Sequence, residues 1–308
     1  MQQTLRKTNP TWAVICRNYQ IYLMLVPLLV FFAIFHYGPI YGIQIAFKDY
    51  NTGLGIWGSP WVGIKHFLRF IQMSQFHAAL GNTMIISFTE LIFGFPFPVI
   101  LALMLNEVRN SRYKKTIQTV TYAPHFISTV VMSSMIILFL SPSTGFINKL
   151  IELLGGKAIN FMIKPAWFVP VYVLSGIWQH AGWGSIIYLA ALAGVETELH
   201  EAAAIDGASR LQRIAHINIP CIIPTVMIMF ILQAGNILNV GFEKVFLLQN
   251  SSIMETADVI STYTYRIGLQ GGEFSLSSAI GLFNSVINFV MLLVVNQAAS
   301  RLNQNSLW

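Results

Sequence analysis

Six stretches of the chain stay apolar for about the 20 residues a helix needs to cross the hydrocarbon of a bilayer. They run from Ile21 to Phe47, Asn82 to Leu105, Ile117 to Leu140, Trp167 to Val195, Cys221 to Val240 and Leu276 to Ala298. Their apolar runs are far too long for strands, so the pattern predicts an all-α, polytopic membrane protein of about six transmembrane helices. Pro27, Pro39, Pro96, Pro98, Pro124 and Pro170 fall inside or beside these spans. Neighbouring helices can satisfy the backbone groups such prolines free. The chain divides into an N-terminal segment (1–20), a transmembrane domain (21–298) and a short tail (299–308).

Composition sharpens the class. Of 308 residues, 55% are hydrophobic and 10% charged, against roughly 25% charged in a soluble domain. The 22 Phe, 11 Tyr and 7 Trp suit a chain with two membrane interfaces to anchor. The net charge of +6 is spread along the chain rather than gathered into a tract. That argues against nucleic acid as a partner and for an orientation signal and contact with anionic lipid. The short loop holding Arg109, Arg112, Lys114 and Lys115 sets that orientation, placing both termini in the cytoplasm. Lys244 then counts among the external basic residues. Arg6, Lys7 and Arg17 precede the first span without a small-residue cleavage site, which reads as an uncleaved span rather than a signal peptide. Cys16 and Cys221 fall at cytoplasmic ends of spans, where thiols stay reduced.

Three connections are too long to be turns. Lys48 to Leu80 mixes Trp57, Trp61, Phe67, Phe70 and Phe76 with polar residues and predicts interfacial helices on the outer surface. Glu243 to Ser275 reads as a polar, glycine-bearing external loop. The third, Glu196 to Pro220, lies inside. Glu196, Glu198 and Glu201 ahead of three alanines make a favourable helix start. Asp206-Gly207 breaks that helix. A second helix carries Leu211, Ile214 and Ile217 on one stripe and ends before Pro220.

The spacing Glu201-Ala202-Ala203-x-x-x-Gly207-Ala208, followed by Ile217-x-x-Pro220, resembles the EAA loop of permease subunits in bacterial binding-protein-dependent ABC importers. Ile214 stands where that family often has phenylalanine. Trp61-Val-Gly-Ile-Lys-His-Phe67, Asn82-Thr83 and Tyr122-Ala-Pro124 extend the likeness over the whole chain, toward the sugar branch and its LplB-type oligosaccharide and polysaccharide permeases. The resemblance implies a type I importer core in the bacterial cell membrane. It further implies a coupling loop (196–220) in which Glu201 and Asp206 belong to the face toward a cytoplasmic ATPase dimer, Gly207 forms the bend, and Ala202, Ala203 and Ala208 permit close approach. The implied partners also include a second permease subunit, usually a different chain, and an extracellular solute-binding protein. No Gly-x-x-x-x-Gly-Lys-Ser/Thr loop occurs, so ATP and Mg belong to the separate ATPase and this chain needs no cofactor and is no enzyme.

In the resembling sugar permeases the spans flanking that loop line the substrate path. The corresponding candidates are Gly176, Gln179, His180 and Trp183 before it, and Gln233, Asn236 and Ile237 after it. Amides suit sugar hydroxyls, and an indole suits a pyranose face. The same amides also serve to join helices, at about 0.6 kcal/mol each. Glu90 is a carboxylate within a span for which the sequence offers no opposite charge at similar depth, so it reads as protonated, hydrogen-bonded to a neighbouring helix or near water rather than as a proton relay. An ion-coupled transporter or channel would require paired intramembrane charges and inverted repeats. A membrane enzyme would require His-Glu-x-x-His or paired aspartates. Neither signature is found, and no metal site is expected.

Overall fold

A computed structural model describes residues 14–303 except residue 16; Arg6, Lys7 and Cys16 lie outside the described residues. Regular structure among these residues is helical, apart from one isolated antiparallel bridge between Lys48 and Trp61.

The first span is one helix, α1 (Tyr19–Phe47), and most of it buries nothing against the rest of the chain. After it, Gly63 takes a left-handed φ of +61° and turns the chain into α2 (Lys65–Ile71). The Trp61–Phe67 stretch thus clips onto the end of α1. Val62 N donates to Phe47 O at 2.8 Å, and His66 Nε2 lies 2.9 Å from Asp49 Oδ1. His66 and Phe70 are buried, so α2 packs into the molecule, while Trp57 and Trp61 remain exposed as an interfacial segment requires. The second span, α3 (Ser74–Asn106), starts eight residues ahead of the apolar run, and this extension buries Phe76 and Ala79 against other helices.

The third predicted span is two helices, α4 (Ser111–Phe126) and α5 (Thr129–Phe139), which meet at 102°. Ile127 is extended, and Ser128 caps α5, its Oγ accepting from Val131 N. The short α6 (Phe146–Leu153) is pinned by Asn148, whose amide bonds Leu140 O, Ser141 O and Ile159 O. The fourth span is α7 (Phe168–Ala193), 26 residues long and less apolar than the others because Trp178, Gln179 and His180 sit at its centre. Then come α8 (Thr197–Ile205) and α9 (Arg210–Ala234).

The segment after α9 departs from expectation. In place of a polar loop it forms α10 (Phe242–Leu248), α11 (Met254–Ala257) and α12 (Ile260–Tyr265), with Val245, Leu248, Ile253, Val259 and Ile260 buried. These apolar residues recur often enough to cover a core, although the intervening Gln, Asn, Ser, Glu and Asp make the segment read as polar. Asn82 donates to Glu255 O and Asp258 O, and Ile260 N donates to Thr83 Oγ1 at 2.9 Å, tying the insertion to α3. The last helix is α13 (Phe274–Arg301).

Two clusters fix the ends of the bundle. Ala46, Phe76, Ile237 and Leu276 meet at one end. Ala102, Tyr188, Leu192 and Ile222 meet at the other, where the basic loop after α3 and the α8–α9 connection both emerge.

Candidate functional site

Two features carry functional geometry. The first is the elbow between α7 and α9. Gly207 has φ +79° and closes α8 in a Schellman turn, with Ala208 N to Ala203 O at 2.9 Å and Gly207 N to Ala204 O at 3.1 Å. Ser209 and Gln212 then form a reciprocal capping box that starts α9. Glu201, Ala202 and Asp206 are exposed, and Ala203 and Ala208 half-buried. Ile205 and Leu211 flank the bend at 86% and 78% exposure.

The expected stop before Pro220 is not observed. From Ile214 to Asn218 the helix widens into a π turn, and Ile219 N donates to Ile214 O. The extra residue in that turn relieves the clash between the Pro220 ring and the preceding carbonyls. The second half of the elbow and the fifth span are therefore one continuous rod.

The second feature is a cavity of about 180 Å³ between α3, α7 and α9, lined among others by Glu90, Gly176, His180, Tyr188 and Gln233. Three of the seven path candidates line it: Gly176, His180 and Gln233. Gln179 is 4% exposed and donates to Ile127 O at 3.0 Å, holding the α4–α5 bend against α7. Trp183 stacks on His125 at 4.6 Å, and His125 Nδ1 lies 3.3 Å from His180 Nδ1. Asn236 binds Leu232 O and Asn239, which in turn meets Asn284 of α13. Ile237 is buried in the end cluster.

Sequence reasoning missed a buried cation near the Glu90 cavity. Lys244, expected outside, is 8% exposed, lies over the Tyr172 ring and donates to Tyr172 O at 2.8 Å. A Cβ on Gly176 would stand 3.4 Å from its Nζ, so the missing side chain makes room for the ammonium group. Gly176 and Glu90 line the same cavity. Phe242-Glu-Lys-Val-Phe246 held the signal: a cation amid an apolar run short enough to be a buried helix.

Residues 94–304 match the family of binding-protein-dependent transport system inner membrane components. The chain is 44% identical over 296 residues to protein LplB of Bacillus subtilis, covering 96% of this chain and 93% of that protein. It is 42% identical over 288 residues to YteP of Bacillus subtilis, a polygalacturonan/rhamnogalacturonan transport system permease protein, covering 94% and 90%. Among solved structures it resembles a chain of a bacterial ABC transporter involved in import of the acidic polysaccharide alginate. The TM-score is 0.87 at 43% identity, covering 95% of this chain and 99% of that one. A second structure of a bacterial alginate ABC transporter, in complex with an alginate pentasaccharide-bound periplasmic protein, matches with TM-score 0.88 at 42% identity, covering 96% and 99%.

Proposed function

This chain belongs to the binding-protein-dependent transport system inner membrane components, and from that premise we propose that it forms one wall of the path by which an ATP-driven importer moves an oligosaccharide or polysaccharide. The names of its relatives support a saccharide. So does a cavity edged by a carboxylate, an imidazole and an amide, groups that satisfy hydroxyls. At about 180 Å³ the cavity is smaller than the roughly 300–1,000 Å³ of pockets that enclose a ligand. A second permease chain supplies the remaining wall. An extracellular solute-binding protein delivers the substrate to the surface built from 48–80 and 243–275.

The observation that carries the reading is the elbow. Ile205 and Leu211 offer an apolar tip, Glu201 and Asp206 a polar rim, and Ala202, Ala203 and Ala208 a low profile on either side of Gly207. This tip docks on the cytoplasmic ATPase, which holds ATP and Mg, and both termini of this chain share that side. An ion-coupled transporter would also make use of a Glu90–Lys244 pair, but it has no use for an exposed rigid elbow.

Gly207→Val tests the coupling. A Cβ there meets nothing within 4 Å, so the substitution acts through the backbone alone. A β-branched residue resists positive φ, at roughly 1–2 kcal/mol. The variant is expected to reach the membrane in normal amount, while substrate-stimulated ATP hydrolysis and transport by the reconstituted complex fall about tenfold. Wild-type transport by this variant would remove the elbow from the mechanism.

A further inference from the structure

We propose that Glu90 is the acceptor for saccharide hydroxyls in the cavity and that Lys244 is its counter-charge; this deepens the carbohydrate reading above and rests on it. Glu90 opens the π turn Glu90–Gly94 within α3, which sets its side chain beside α7. Its stem lies against Gly94, whose Cβ would meet Glu90 Cγ at 3.3 Å and Ile177 Cγ1 at 3.8 Å. Lys244 reaches the adjacent Gly176. Two opposite charges from distant parts of the chain thus converge on one step of α7, at the wall of the cavity.

They are not spent on each other. Among the described residues Glu90 makes no hydrogen bond and no ion pair within 4.0 Å, while the Lys244 ammonium is engaged by Tyr172 O. An ionised carboxylate has two oxygens that only accept, with about four lone-pair sites. Glu90 lines the cavity together with His180 and Gln233. Charge inside a membrane protein is costly and is retained where it meets a pathway or a partner. Lys244 supplies balance at a distance, and the carboxylate oxygens stay free for neighbouring hydroxyls of a sugar ring. Bonds to an ionised acceptor are roughly twice as strong as neutral ones.

The test uses the complete transporter in proteoliposomes: this chain, the second permease, the ATPase and the binding protein. The probes are a neutral hexose trisaccharide and a uronic acid trisaccharide. E90Q is expected to raise KM for both about tenfold with little change in maximal rate, because hydroxyls are common to both. K244M is expected to lower the melting temperature by leaving Glu90 uncompensated. In E90Q/K244M the melting temperature returns while the raised KM persists. A double variant with wild-type KM would reduce the pair to a helix tie and overturn the proposal. A KM shift confined to the uronic probe would overturn it in favour of Lys244 reading a substrate carboxylate. Wild-type vesicles that accumulate neither probe would overturn the carbohydrate reading, and this proposal with it.

Discussion

Gly182 and Gly207 are glycines for different reasons, and the difference decides what replacing them does. At Gly207 the backbone demands the residue. At Gly182 a neighbour does, since a Cβ would stand 2.0 Å from Thr121 O and 2.4 Å from Thr121 C. Backbone cannot swing aside as a side chain can, so Gly182→Ala must push α4 off α7. The expected cost is about 1–3 kcal/mol, the range for overpacking, read as a lower melting temperature of the purified complex. An unchanged melting temperature would show that the contact is looser than the geometry implies. Gln179, three residues earlier, illustrates what a sequence conceals. A glutamine in an apolar span announces a hydrogen bond but not its partner, and the partner is a carbonyl 52 residues away. His125 and His180 are likewise a pair that only the α4–α5 bend creates.

Prolines explain much of what the sequence did and did not reveal about the elements. The spans were readable because lipid demands long apolar runs, and the glycine bend because Gly after an alanine helix is a conformational signal. The continuity of α9 was not, because Pro220 ordinarily stops a helix. Three times the chain uses one device instead. The π turns Ala33–Tyr37, Glu90–Gly94 and Ile214–Asn218 each have a proline second after the turn, Pro39, Pro96 and Pro220, whereas the π turn Arg266–Gln270 has none. Gly38 N, Phe95 N and Ile219 N close them onto Ala33 O, Glu90 O and Ile214 O. The 102° bend at Phe126–Thr129 had its own signal, a Ser-Thr cap ahead of an apolar run. Pro220→Ala tests the device. With the N–H restored, an ordinary α ladder becomes available and removes the extra residue of the wide turn. That rotates Arg210–Arg213 by roughly 100° about the axis of α9. The helix gains stability, yet the elbow points elsewhere, so transport per ATP hydrolysed is expected to fall. An unchanged coupling ratio would show that the π turn survives without its proline or that elbow direction is immaterial.

At the scale of the molecule, the useful property of α9 is that it runs unbroken from the elbow to the cavity and on to the opposite end. Leu211 sits beside the bend, Met229 and Gln233 line the cavity, and Ile237 joins the far cluster just past the helix. A push at Leu211 therefore need not pass through a chain of side-chain contacts; one rod carries it. Spin labels at Leu211 and Leu232, both exposed, should lie about 30 Å apart along the axis, from 1.5 Å per residue. That separation is expected to hold constant in the reconstituted complex between ATP-trapped and nucleotide-free states. A second pair, at Leu232 and Phe93, each next to a lining residue, links α9 to α3, and Phe93 is exposed as well. Its distance should change by several Å as the path opens toward one side and then the other. If instead the Leu211–Leu232 distance shifts while the Leu232–Phe93 distance stays fixed, α9 hinges at the π turn, and the wide turn of Ile214–Asn218 becomes the joint of the machine rather than part of its lever.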